Sequence, residues 1–171
     1  MSPEAQAGAV QLTLLLAELR RDQAALTPHA RELQELRSDW PRVASDRPRL
    51  VLACVLLHAW YTGLETLFER IARGLDRSVP RGDQSHKELL RQMATELPGL
   101  RAAVIDDSIE AELLQLLKFR HFFRHAYAVP YDPVKVLAEV ERVVALHPRL
   151  DANLASLERF LDDSIAALAS A

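Results

Sequence analysis

The chain contains a single cysteine, Cys54, within 171 residues. One thiol in an apolar run rules out a disulfide framework and a cysteine-based zinc site, and Cys54 reads as core. Long hydrophobic runs are also missing. The longest, residues 50–57, is bounded by Arg49 and His58, is too short to cross a bilayer and is not N-terminal. A soluble, cytoplasmic protein without membrane or export segments is therefore expected. Positive charge is not in excess: 21 Lys and Arg face 24 Asp and Glu, a net charge of -3. This argues against a protein that coats nucleic acid generally, because such affinity comes from neutralising phosphates, but it leaves room for a local basic site. No alternating strand pattern rises above chance and no segment repeats.

What remains is helix. The length suits one core and not two domains, so residues 1–171 are expected to form a single all-α, up-and-down bundle of five to six helices. Leucines at 12, 15, 16 and 19 recur at helical spacing within residues 4–26, and Thr27-Pro28 suggests a new start or kink before a second stretch to Trp40. Residues 48–76 form a strongly apolar helix ending near Gly74, and residues 78–83, with Pro80 and Gly82, form a loop. A shorter helix spans residues 84–97 and stops at Pro98-Gly99, and the next runs over 100–127 until Pro130 and Pro133. Asp132-Pro133 reads as N-cap and first-turn proline of a helix through His147, and Pro148 opens or kinks the last one.

The chemistry is concentrated in residues 118–127, Lys-Phe-Arg-His-Phe-Phe-Arg-His-Ala-Tyr, where Arg120, His125 and Tyr127 spell R-x4-H-x-Y. With 18 Arg and 6 His, R-x4-H alone is expected about 0.6 times by chance. It occurs three times, also at Arg81/His86 and Arg142/His147, so two residues carry no information. Adding the tyrosine lowers the expectation to roughly 0.01, and one copy survives. On a helical wheel Tyr127, Arg120, Arg124, His121 and His125 fall within an arc of roughly 160°. Phe119, Phe122, Phe123 and Ala126 lie opposite, which divides the helix into an aromatic buried face and a basic open face. A solvated charge run over ordinary core gives the same division. The R-x4-H-x-Y register favours chemistry: a guanidinium clamps phosphate, an imidazole moves a proton near neutrality and a phenol bonds or reacts.

This register, with polar His121 directly after Arg120, resembles the HEPN superfamily and its HepT-like ribonuclease toxin branch. Tyr61-Thr62-Gly63-Leu64-Glu65 is similar to the Tyr/Gly/Glu-containing stretch that ends an earlier helix in that family. The resemblance covers roughly residues 48–147, leaving 1–47 as an N-terminal helical extension. It implies a HEPN-like fold, a homodimer in which two motif helices meet across a two-fold axis, and RNA cleavage that needs no metal or cofactor. His125 would then act as general acid or base, Arg120 would hold the scissile phosphate, and His121 and Arg124 would assist at the RNA. Tyr127 would be the acceptor of AMP from a minimal nucleotidyltransferase antitoxin.

Elsewhere the polar residues read more plainly. His58, near Trp60, suits a hydrogen-bonded core histidine, and His29, His86 and His147 lie on separate segments without a second ligand at i+3 or i+4. Glu65 and Glu69 share a helix face but lack the Glu-x-x-His accompaniment of di-iron bundles, so Glu65 is read as a partner for Arg120 or its surroundings. Asp106-Asp107 and Asp162-Asp163 are solvated or helix-terminal. Three readings follow: a ribonuclease toxin, a non-catalytic HEPN-like dimerisation or interaction module, and a metal or ligand carrier, which the missing ligand spacing makes weakest.

Overall fold

Ser2 starts the first helix. Its hydroxyl accepts the Ala5 amide at 3.1 Å, Pro3 fills the first turn and Glu4 sits near the positive helix end. The computed structural model describes residues 2–125 and 131–170, with Phe122, Arg124 and His125 as backbone alone. In order come α1 (Pro3–Ser38), α2 (Trp40–Ser45), α3 (Arg47–Ile71), which continues into a π-helical turn (Ala72–Asp76), α4 (Ser85–Ala94), α5 (Asp107–His125) and α6 (Pro133–Ser170). Among the described residues there is no strand beyond an isolated bridge between Leu97 and Arg101, so the chain is an all-α bundle.

The prolines at 28 and 148 do not interrupt their helices, contrary to the break or kink expected from the sequence. A proline in a helix interior costs about 3 kcal/mol. Around Pro28, Leu26 and Leu33 are almost fully buried, and each contributes roughly 1.5–3 kcal/mol by burial. Leu146, Leu150 and Leu154 do the same around Pro148. Packing on both sides of each proline therefore outweighs the lost backbone bond. Asp132 caps α6 as expected, its carboxylate accepting the Val134 amide at 2.9 Å.

The long helices α1 and α6 pack along each other, and α1 also lies along α3. Helices α1 and α2 therefore pack within the same bundle as α3 and α6. Gly63 makes this approach close: a Cβ there would stand 2.7 Å from Leu26 Cδ2. Gly74 does the same against Leu15, at 2.8 Å. It lies inside the π-helical turn, so its role is contact with α1, where the sequence suggested a helix end.

Helix α3 is buried on most sides, through Leu50, Cys54, Leu57, Trp60, Leu64 and Phe68 among others. Arg47–Asp76 is long and apolar enough to cross a membrane, yet 56% of its most apolar window is buried inside the bundle, which is the behaviour of a core helix. The run 50–57 understated this, because apolar residues resume after His58.

The expected helix from residue 100 begins only at Asp107. Arg101 is the reason. Its Nε and Nη2 donate to Asp76 Oδ1 and Oδ2 at 2.7 Å each, and the guanidinium also donates to the carbonyls of Gln92, Thr95 and Ala102. Helical backbone here would withdraw that side chain from its pocket. Val104 and Ile105 instead donate to the Met93 carbonyl. Asp106 then caps α5 by accepting the Ile109 amide at 2.8 Å.

Candidate functional site

Helix α5 has two faces: Leu113 and Leu116 are buried, Phe119 and Phe123 pack against the core, and His121 is exposed. Phe123 lies between two rings, with centroids 5.6 Å from His58 and 5.7 Å from Tyr131. The aromatic side of the helix therefore follows the wheel. Arg120 does not. Expected on the open face, it turns inward until its side chain is 11% exposed.

Two residues of α3 receive Arg120. Its Nη2 lies 3.1 Å from Glu65 Oε2, and its guanidinium carbon sits 5.6 Å from the centre of the Tyr61 ring. One helical turn separates Tyr61 from Glu65, so α3 offers an aromatic face and a carboxylate side by side. Burial, reinforced by the neighbouring Glu65 carboxylate and opposed by Arg120, pushes the Tyr61 phenol well above its ordinary range. Tyr61 is thus a neutral platform. Arg120 Nε is buried and has no hydrogen-bond partner among the described residues. Among the described residues this guanidinium is therefore incompletely satisfied.

The other oxygen of Glu65 contacts His86 Nδ1 on α4. Glu65 therefore ties Arg120 of α5 to His86 of α4. His86 belongs to one of the two uninformative R-x4-H matches and was assigned no partner from sequence. Nothing local could have revealed it: the loop after the π-helical turn returns the chain so that residues 21 positions apart meet. Gln92 and Arg101, through Asp76, fix that return.

Beside this trio lies an open groove of about 730 Å3 between the start of α4 and the outer face of α5. His86, Lys87, Lys118 and His121 line it, with Asp83 as the carboxylate and Leu117 on its floor. The protein is acidic in total, yet this groove carries more cationic than anionic groups. Lys87 and Lys118 add to the basic groups singled out from sequence. The side chains of Arg124 and His125, and all of Tyr127, lie outside the described residues. The backbone is helical through His125, which places that residue one turn beyond His121 on the same side of α5.

Among the described residues no group of three or more His, Cys, Asp or Glu side chains is arranged to hold a metal. Glu65 is already engaged through both oxygens. Cys54 is fully buried, and burial pushes its thiol up to about 12, so it is core.

No curated protein and no solved structure gives a significant match to the chain. A family profile described as HepT-like protein matches residues 52–161, beginning on α3 and ending within α6, so that it includes the Tyr61–Glu65 stretch, the groove and the whole motif. With well over half of its length matched, the chain belongs to the HepT-like family.

Proposed function

We propose that the protein is a metal-independent endoribonuclease toxin of a toxin–antitoxin pair, with Arg120 and His125 as its catalytic groups at a homodimer interface. The observation that carries this reading is the inward Arg120, with a buried unused donor, beside a cation-lined groove. In this reading the Arg120 guanidinium stabilises a phosphate oxygen whose charge grows during cleavage. His125, one turn beyond His121 on helical backbone, is the general acid or base of this reading. His121 and Arg124 extend the basic surface along RNA. The ribose 2'-hydroxyl serves as nucleophile, so DNA is not a substrate.

Dimerisation is supported by α3. Val51, Leu52 and Val55 form an apolar strip that is 36–47% exposed on a helix otherwise built for burial, and a second copy would cover it. The same strip supports the alternative reading, a non-catalytic interaction module. In both, a minimal nucleotidyltransferase is the expected antitoxin partner, with Tyr127 as AMP acceptor. A phosphodiester attached there would occupy the cationic site as a tethered substrate mimic.

The test is cleavage of a fluorophore–quencher oligoribonucleotide in the presence of a chelator. Wild-type protein is expected to cut it, and Arg120→Ala or His125→Ala to lose about 10²-fold or more. A wild-type dimer that leaves RNA intact would favour the interaction module. Intact-mass measurement after co-expression with the antitoxin should show an AMP adduct that disappears in Tyr127→Phe.

A further inference from the structure

We infer that Glu65 and His86 form a carboxylate–imidazole dyad whose Nε2 is a general base for the RNA bound in the groove between α4 and α5. The inference rests on the ribonuclease reading and adds to it a catalytic group from outside the R-x4-H-x-Y motif.

A carboxylate can only accept, so the proton of the His86–Glu65 contact resides on Nδ1. That fixes the tautomer of the neutral ring and leaves the lone pair on Nε2. The His86 side chain is 40% exposed and lines the groove, whereas Glu65 is 11% exposed. The carboxylate is therefore held inside and the imidazole is presented outside, which is the arrangement in which an acid orients a base and stabilises the imidazolium it becomes. A structural ion pair has no need of a groove at its outer nitrogen. The charged and titratable groups around the ring are Glu65 from α3, Asp83 and Lys87 from its own segment, and Lys118 and His121 from α5.

The step balances without any further reactant. Nε2 of neutral His86 takes the proton of a ribose 2'-hydroxyl while that oxygen forms a bond to phosphorus. The bond from phosphorus to the 5'-oxygen breaks, and protonated His125 delivers a proton to the leaving oxygen. The products are a 2',3'-cyclic phosphate and a 5'-hydroxyl, and water later returns the two imidazoles to their starting states. Arg120 is held by the second oxygen of the same Glu65, which couples the position of the phosphate clamp to that of the base. The base and the phosphate clamp then belong to one protomer.

The deciding experiment is the pH dependence of kcat/KM for the full-length protein on the same fluorogenic oligoribonucleotide. Wild type is expected to rise with pH on the acidic side and to fall on the alkaline side, the bell shape of a base and acid pair. His86→Ala should lower kcat about 10²-fold, flatten the acidic limb, leave KM nearly unchanged and recover activity with added imidazole. Glu65→Gln should also lower kcat, through loss of orientation. Thermal melting of both variants verifies folding, which the exposed His86 makes an easy condition for His86→Ala. An active wild type whose His86→Ala variant retains its acidic limb, or is not rescued by imidazole, overturns the dyad alone. An inert wild type overturns the dyad together with the ribonuclease reading.

Discussion

Two arginines are drawn inside this bundle, and their surroundings differ. Arg101 is 0% exposed in its side chain, pairs through two donors with an Asp76 that is 2% exposed, and spends its remaining capacity on three backbone carbonyls. Arg120 is 11% exposed, reaches Glu65 through one nitrogen, rests on Tyr61 and retains an unused Nε among the described residues. The first has no capacity left for a ligand. The second is held in place but incompletely bonded, beside a groove. Complete satisfaction marks a guanidinium that organises the chain, whereas Arg120 keeps, among the described residues, hydrogen-bonding capacity that Arg101 has spent.

The largest effect expected from this contrast is on stability. Arg101→Ala should cost about 3–5 kcal/mol, because it leaves Asp76 as an uncompensated buried charge. Urea unfolding measures this directly, and a loss below about 1 kcal/mol would show that the pair is not the organiser of the loop into α5.

Arg120→Ala should invert the pattern. Glu65 keeps His86 as a partner, so the stability loss should stay below about 2 kcal/mol, while RNA cleavage falls about 10²-fold or more. Arg120→Lys should restore little activity, since an ammonium cannot offer the planar fork. A variant that melts as early as Arg101→Ala would erase the distinction between the two arginines.

A smaller effect belongs to the cap that follows Arg101. Asp106 is held below the usual carboxylate range by its bond from the Ser108 hydroxyl and then by the Ile109 amide. A depressed folded value means stability that is present above the unfolded value of roughly 3.9 and is lost as pH falls through the folded one. Asp106→Ala should cost about 0.5–2 kcal/mol at neutral pH. Its unfolding midpoint should then depend less on acid than that of wild type as pH falls below the ordinary carboxylate range.

The smallest effects test the uninformative motif copies. Arg81 is exposed on the loop before α4, and Arg81→Ala should change neither melting nor cleavage measurably. Arg142 bonds Glu139 at 3.0 Å and pairs with Glu112 of α5. Its loss should therefore cost up to about 1 kcal/mol of stability, the range for partly exposed pairs, with cleavage unchanged.

Helical periodicity, the loop around Gly82 and the Asp132-Pro133 cap were legible in the sequence, because each depends on residues within a few positions of one another. The same locality explains the failures. Pro28 and Pro148 read as breaks because nearby residues do not disclose the leucine packing that holds the helices through them. The turn at 100–106 read as helix because the attraction on Arg101 comes from Asp76, 25 residues earlier. Gly74 marked the end of a helix in the sequence, and with Gly63 it also marks where the π-helical turn and α3 lie against α1. At the site, the sequence by itself determined which residue types were available: Arg120, His121, Tyr61 and Glu65 at fixed intervals on two helices. Only the tertiary structure decided that Arg120 faces inward, that Glu65 is shared and that His86 joins them. Helical spacing sets the angle at which a side chain leaves its own axis. Which charge it meets depends on how the axes are brought together, and here that is set by apolar burial and the buried Arg101–Asp76 pair.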